Sequence, residues 1–242
     1  MAQAVFGSPI KGVYGETVSL TTAAAHLLYR PNYHEIKLYC ASQWRMGLAP
    51  RLASVQYFNA TTYTDYTSQA LDRAAATHVP LDGMAATHYL YMGVVEPVRG
   101  FYFTIDGTNK NAAAATLDVE YCSAIAAGVG TFTDVATDSD GTDTAGATLN
   151  TSGLYSFTLP AVVRGVITAL GSQLLYWYRF KPSGTLSATI DIVDIIPACE
   201  DTNYGYMEAG VEYQFSLNVA QNGAFEFDHA STGTLDVTWI RH

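Results

Sequence analysis

The chain is short of charge. Of its 242 residues, 14% are Asp, Glu, Lys or Arg, against about a quarter in an ordinary folded domain. Polar surface must therefore come from Thr, Ser, Asn, Gln and Gly, a habit that suits secreted, surface or virion proteins. Positive charge is scarcest: 12 Lys and Arg against 22 Asp and Glu give a formal net charge of −10. The basic residues are scattered singly, so no patch forms to displace counterions from phosphates. Nucleic acid is not an expected partner, and neither is an anionic membrane. Long apolar runs are missing too. No stretch approaches the ~20 residues of a membrane span. The opening MAQAVFGSPIKGVYGETVSL has no basic segment followed by an apolar one, so no signal peptide is expected.

Cysteine is rare and widely spaced. Cys40, Cys122 and Cys199 form no CxxC pair and read as three buried free thiols rather than a disulfide framework. Signatures of chemistry are equally thin. There is no Gly-x-Ser-x-Gly elbow and no Gly-rich phosphate loop. His34-Glu35 opens like the zinc motif HExxH, but Leu38 stands at the fifth position, and the six histidines show no paired ligand spacing. The segment DSDGTD sets Asp138, Asp140 and Asp143 around Gly141, which are weak candidates for calcium. The closing Glu is absent, and Asp and Gly favour tight turns for backbone reasons, so a structural turn is expected, with no metal and no cofactor. Asp118 with Glu120, and Glu226 with Asp228, read as solvated outer faces of strands. A glycosidase pair can come from distant strands, but no enzyme is expected. The sequons at Asn59 and Asn150 carry little weight without a signal peptide.

What the chain has is alternation. Ile36–Cys40, Ser54–Phe58, His88–Met92, Phe101–Ile105, Thr116–Tyr121 and Leu154–Leu159 all read as strands, as do Leu174–Phe180, Ala188–Ile196, Tyr213–Val219 and Thr234–Ile240. Strands this short, separated by Gly, Pro, Asn, Asp and Ser, predict an all-β protein: an antiparallel β-sandwich or jelly roll. In TLDVEY, Leu117, Val119 and Tyr121 share one face and Asp118 and Glu120 the other, as a half-buried antiparallel strand requires. Helix is scarce. NAAAATL near Asn111 and AVVRGVITAL near Ala161 are each expected to hold a turn or two, and Thr131–Val135 a short strand. Residues 1–34 lack a period and read as an extended N-terminal arm. Residues 35–199 then form the main sandwich. Residues 200–242 supply strands that complete the sheet or reach a neighbour.

The stretch LLYWYRF (Leu174–Phe180) is the densest in aromatics. Tyr176 and Tyr178 fall on one face, and Trp177 and Arg179 on the other. Neither face is polar, so one belongs to the core and the other must be covered. The alternatives are a second sheet, a flat ligand or another subunit.

Taken together, several segments resemble a structural β-module of tailed-phage virion proteins. The pieces are Glu120-Tyr121, Asp140-Gly141-Thr142, SGLYSFTLP (Ser152–Pro160) and Tyr176-Trp177-Tyr178-Arg179-Phe180, with HYLYMGVVEPVRGFYFTID upstream. The likeness spans roughly residues 85–196. Cys122 and Val98 stand where the module usually has Trp and Phe. The resemblance implies a sandwich in which Tyr176 and Tyr178 point inward, while Trp177 and Arg179 lie on the other face with Arg179 meeting Glu120 across neighbouring strands. It implies a virion role, with head decoration the first expectation for a short, acidic, single-module chain. A tail, neck or fibre component is the near alternative, and a carbohydrate-binding β-sandwich the alternative from another class. Expected partners are copies of the chain, most simply a trimer, and the major capsid protein or other virion proteins. The expected location is the virion, assembled in the bacterial cytoplasm.

Overall fold

A computed structural model describes residues 12–21, 25–28, 33–72, 74, 76–126, 129–160, 167–170, 173–199, 204–217 and 224–241. The chain is all-β, with strands throughout and one short helix among the described residues. It divides into a terminal unit, built from residues 1–48 and 202–242, and a central unit, Ala49–Asp201.

The terminal unit begins with β1 (Gly12–Leu20), β2 (Ala25–Leu28), β3 (Glu35–Cys40) and β4 (Trp44–Leu48). The central unit contributes β5 (Leu52–Phe58), β6 (Tyr63–Asp65), helix α1 (Thr67–Asp72), β7 (Val79–Pro80), β8 (Tyr89–Val94) and β9 (Gly100–Ile105). It continues with β10 (Leu117–Ala126), β11 (Val129–Asp134), β12 (Thr137–Asp140), β13 (Gly153–Thr158), β14 (Ile167–Leu170), β15 (Gln173–Pro182) and β16 (Asp191–Ala198). The terminal unit is completed by β17 (Gly205–Met207), β18 (Glu212–Ser216), β19 (Ala224–Asp228) and β20 (Gly233–Arg241).

In the central unit one sheet runs β11-β10-β15-β8-β5-β6, with β14 also paired to β15, and the other runs β12-β13-β9-β16-β7. Every pairing between these strands is antiparallel. Alternation sends Tyr178 and Phe180 of β15, Leu117 and Val119 of β10, and Leu90 and Met92 of β8 into one core with Phe101 and Phe103 of β9 and Tyr155 and Phe157 of β13. Phe180 is the hub. Its ring meets Phe101, Phe103 and Tyr155 edge-on at 5.2–5.7 Å between centroids, the T-shaped geometry aromatic quadrupoles favour.

The terminal unit has two four-stranded sheets, β1-β20-β3-β18 and β17-β4-β19-β2. Ile36, Leu38 and Cys40 of β3, Val237 and Trp239 of β20, Trp44 of β4 and Phe227 of β19 form its core. Two expectations are corrected by this arrangement. Residues 12–20 are extended, as expected of an arm, but they are docked: β1 pairs with β20 over nine residues, from Gly12↔Arg241 to Leu20↔Gly233. Residues 25–28 likewise pair with β19, and residues 1–11 lie outside the described residues. The boundary at 34/35 also moves. Strands β3 and β4 belong with the C-terminal strands, because the inward side chains of β3 find their partners on β20. The segment 200–242 thus completes a second core instead of the main sheet.

The helical turn expected near Asn111 is corrected as well, and the one expected near Ala161 falls mostly outside the described residues. Asn111 is fully buried and its side chain serves a loop: Nδ2 donates to the carbonyls of Ala113 and Thr148, both at 2.9 Å, while Oδ1 accepts from Ser187 N at 3.0 Å. Residues 167–170 form strand β14, and 161–166 lie outside the described residues. The three cysteines are free and buried.

Candidate interaction face

The outer face of the β11–β6 sheet is where LLYWYRF meets the rest of the central unit. Register assembles it in rows. Asp134 on β11 lies opposite Glu120 on β10, Glu120 opposite Arg179 on β15, and Arg179 opposite Tyr91 on β8. Residues directly opposite one another share a face and touch, so four strands contribute to one polar line. Arg179 Nε donates to Glu120 Oε2, and Lys181 Nζ donates to Oε1 at 2.7 Å. The Glu120 carboxylate is nearly buried, and both cations are partly exposed. Burial alone would push this carboxyl up. The hydrogen bonds and charges of Lys181 and Arg179 outweigh that, and the net direction is down. Burial also pushes the Tyr91 hydroxyl up to about 12, against the opposing pull of Arg179.

The same guanidinium lies between two rings, 4.3 Å from the centroid of Tyr89 and 4.5 Å from that of Phe132. Arg179 is thus clamped by a carboxylate and two π-faces, which makes it a lock within the sheet. The next row holds Trp177, 1% exposed and buried with Tyr91 and Cys122 under Phe132 and Leu175. Opposite it on β8 stands Gly93, where a Cβ would sit 2.7 Å from Leu175 Cδ1 and 3.0 Å from the indole. Glycine at this place gives the indole its room.

The residues singled out in the sequence therefore take distinct places. Tyr178 is fully buried in the sandwich, and Tyr176 is partly buried against it. Trp177 is covered by side chains of its own chain, so its burial needs no second subunit. Arg179 reaches Glu120, the partner expected across the sheet. Sequence reasoning missed Lys181, Tyr89 and Phe132, which complete the clamp. The parity of Arg179 and Lys181 along one strand, matched to Asp118 and Glu120 along another, was the available signal.

The aspartates of DSDGTD are not drawn together. Asp138 accepts the Tyr155 hydroxyl hydrogen. Asp140 Oδ1 accepts from Thr142 N at 2.8 Å and Thr142 Oγ1 at 2.6 Å, and Asp143 Oδ1 from Gly146 N at 3.0 Å. Asp140 and Asp143 brace backbone locally, and Asp138 ties β12 to a side chain of β13. Among the described residues no group of three His, Cys, Asp or Glu is placed to hold a metal ion. Gly141 and Gly153 explain their own identity: a Cβ on Gly153 would lie 2.0 Å from the Gly141 carbonyl oxygen. The DGT turn and the SGLYSF strand are two backbones in direct contact.

The outer-face carboxylates differ from expectation. Asp118 is exposed, but Glu120, Glu226 and Asp228 are buried. Cations hold two of them in place of solvent: Arg179 and Lys181 on Glu120, and Arg45 on Asp228.

No family model matches the chain, and no curated protein matches it. Among solved structures, a rhamnosidase from Novosphingobium sp. PP1Y is similar at 10% identity and a TM-score of 0.33, over 95% of this chain and 24% of that one. The chain thus spans about a quarter of the rhamnosidase. The stem and receptor binding domain of the spike protein P1 from bacteriophage PM2 is similar at 7% identity and a TM-score of 0.17, over 98% of this chain and 100% of that one. Likenesses of this size carry no functional inference.

Proposed function

We propose that the chain is a structural protein of a tailed-phage virion, and in particular an auxiliary head-decoration protein that assembles as a homo-oligomer, most simply a trimer, on the major capsid protein. The supporting observation is how the segments that resemble the virion module relate to one another. Glu120-Tyr121 lies on β10, YWYRF on β15 and YLYMG on β8, three adjacent strands of one sheet. SGLYSF forms β13 beside β9 in the facing sheet. All of them fall inside the central unit. Their distinctive residues serve cohesion: Tyr178, Phe180, Tyr155 and Phe101 fill the core, Glu120 and Arg179 lock the outer face, and Gly153 lets two backbones touch. A motif whose members all hold a sandwich together suits a protein used as a building block.

The oligomer reading has its own support. Leu174 is 71% exposed on β15. Ile125 and Val129, also exposed, flank the β10–β11 turn at the same end of the sheet. Apolar side chains gathered at one end favour a partner's cover. Mass spectrometry and cryo-EM of purified particles test the proposal, and light scattering of the free protein at micromolar concentration tests the oligomer. Stoichiometric density on the capsid lattice is expected. Density confined to the tail or neck would move the assignment to a tail component, and absence from particles would overturn the virion reading.

A further inference from the structure

The terminal unit carries a cleft of mixed apolar and polar lining that the reading above does not use. It encloses about 290 Å³ and is lined by Gln43, Trp44, Arg45, Tyr206, Asp228 and His229. Its floor is a cross-strand row. Arg45 on β4 lies opposite Tyr206 on β17 and opposite Asp228 on β19, so the three side chains stand together on one face of the sheet. Arg45 Nε donates to Asp228 Oδ1 at 2.8 Å, and Nη2 donates to Oδ2. This is the bidentate fork that fixes a carboxylate's orientation as well as its charge. The Tyr204 ring lies 5.0 Å from the guanidinium. His229 is equally fixed: Ser231 N donates to Nδ1 at 2.9 Å, which leaves the hydrogen on Nε2 to be donated to Ser42 Oγ at 2.8 Å. Beside this rigid row stands Tyr206, 72% exposed, with Gln43 also exposed.

These features select a kind of ligand. A ring so exposed contributes little to the core and presents a flat apolar face to solvent. The row next to it is polar and pre-organised, yet Arg45 and Asp228 cancel in charge. An anion gains no net attraction there, least of all on a chain of net charge −10. An apolar ligand would desolvate Asp228 and Gln43 without return. A sugar ring meets both demands, because its C–H face lies flat on an aromatic ring while its hydroxyls donate to a carboxylate and exchange hydrogen bonds with an amide. The cleft is at the small end of the roughly 300–1,000 Å³ of small-molecule sites, which limits the occupant to about one ring.

We propose that this cleft is a binding subsite for a neutral saccharide unit, stacked on Tyr206 and hydrogen-bonded to Asp228 and Gln43. The proposal does not rest on the virion reading. Saturation-transfer NMR of the full chain with the methyl glycosides of glucose, galactose, mannose and N-acetylglucosamine tests it, with methyl glucuronide as the charged control. Expected is transfer to at least one neutral glycoside, strongest on the protons of one ring face. Tyr206→Ala should reduce that transfer roughly tenfold, the scale on which losing an aromatic stacking partner weakens binding. Tyr206→Phe should keep it, and Gln43→Ala should weaken it. Circular dichroism checks that each variant is folded, and the exposed Gln43 serves as the second probe should Tyr206→Ala not fold. No transfer to any neutral glycoside, transfer unchanged in both alanine variants, or stronger transfer to the glucuronide than to every neutral sugar would each overturn the proposal.

Discussion

Replacing Trp177 by Ala tests whether LLYWYRF is a structural strand or a ligand platform. The indole is 1% exposed, buried with Tyr91 and Cys122 and flanked by Phe132 and Leu175. Truncating a buried Trp to Ala costs about 3–5 kcal/mol in lost burial and residual cavity. The upper part of that range is expected, because the cross-strand neighbour is Gly93, which has no side chain to lean into the gap. The loss also frees Phe132, one of the two rings that hold Arg179. For a unit of roughly 150 residues each kcal/mol moves Tm by about 2–4 °C, so about 4–5 kcal/mol gives a drop of roughly 8–20 °C. Differential scanning calorimetry reads it, and the transition that moves should be the central unit's. If the two units melt together, urea titration gives the same quantity from the shift in midpoint at constant m. A variant that melts within about 2 °C of the parent would refute the structural reading and reopen the platform.

Three further perturbations follow. Glu120→Gln strips Arg179 and Lys181 of their shared anion and should cost about 1–3 kcal/mol; denaturant midpoints indistinguishable from the parent would show that the clamp holds nothing. The Glu120 carboxyl lies below the ordinary glutamate range, so its contribution is present above the unfolded value, about 4.3, and fades as pH falls through the folded one. Melting temperature should therefore drop below about pH 5 more steeply in the parent than in Glu120→Gln, and parallel slopes would sink the assignment. Gly153→Ala places a Cβ 2.0 Å from the Gly141 carbonyl oxygen, a backbone clash that no rotamer relieves, so soluble yield and Tm should fall sharply where an ordinary surface Gly→Ala is mild; a parent-like Tm would contradict the close approach. Residues 49–201 expressed alone should unfold cooperatively, whereas residues 1–201 should lose residues 1–48 to protease, since β1 and β3 both depend on β20.

Strands with a clean two-residue period were legible. Each of the ten such stretches contains a strand among the described residues, because in a sandwich one face of each strand must be apolar, and that pattern survives in the sequence. The missed strands are those whose inward face is too short or carries charge. Strand β1 presents Leu20 and the partly buried Val18 inward, but Glu16 follows on the same face, where it accepts from Trp239 Nε1, so the apolar period stops after two residues. Strand β19 reads AFEFD, and its acids look solvated. Asp228 is buried because Arg45, on a strand 183 positions away, supplies both hydrogen bonds. Long-range pairing of that kind leaves no local trace. Helix α1 is only six residues long, shorter than propensity alone can stabilise. The ion pair at LLYWYRF was legible through the module's likeness, whereas the clamping rings were not, since Phe132 arrives from a Gly- and Thr-rich segment with weak alternation.

The interleaving of the two units bears on how the chain reaches its fold. The terminal unit places β20 between β1 and β3, so its first sheet cannot close until the last strand is made. The β1–β20 pair joins Gly12 to Arg241, nearly the full length of the chain. Contacts of such separation come late, because the loop-closure entropy must be met before the pairing stabilises anything. The central unit has no such debt to its flanks. Its β5–β6, β10–β11 and β14–β15 pairs are local, and the described residues of its core all lie between Leu52 and Ile195. Once folded, it also shortens the effective gap between the chain's two ends, which lowers the entropic barrier to β1–β20 pairing. The central unit therefore forms first, and the Tyr206–Arg45–Asp228 row, which needs β4, β17 and β19 together, forms only with the terminal unit. Damage to the central core, as in Trp177→Ala, should then slow the appearance of that row even though none of its residues is touched.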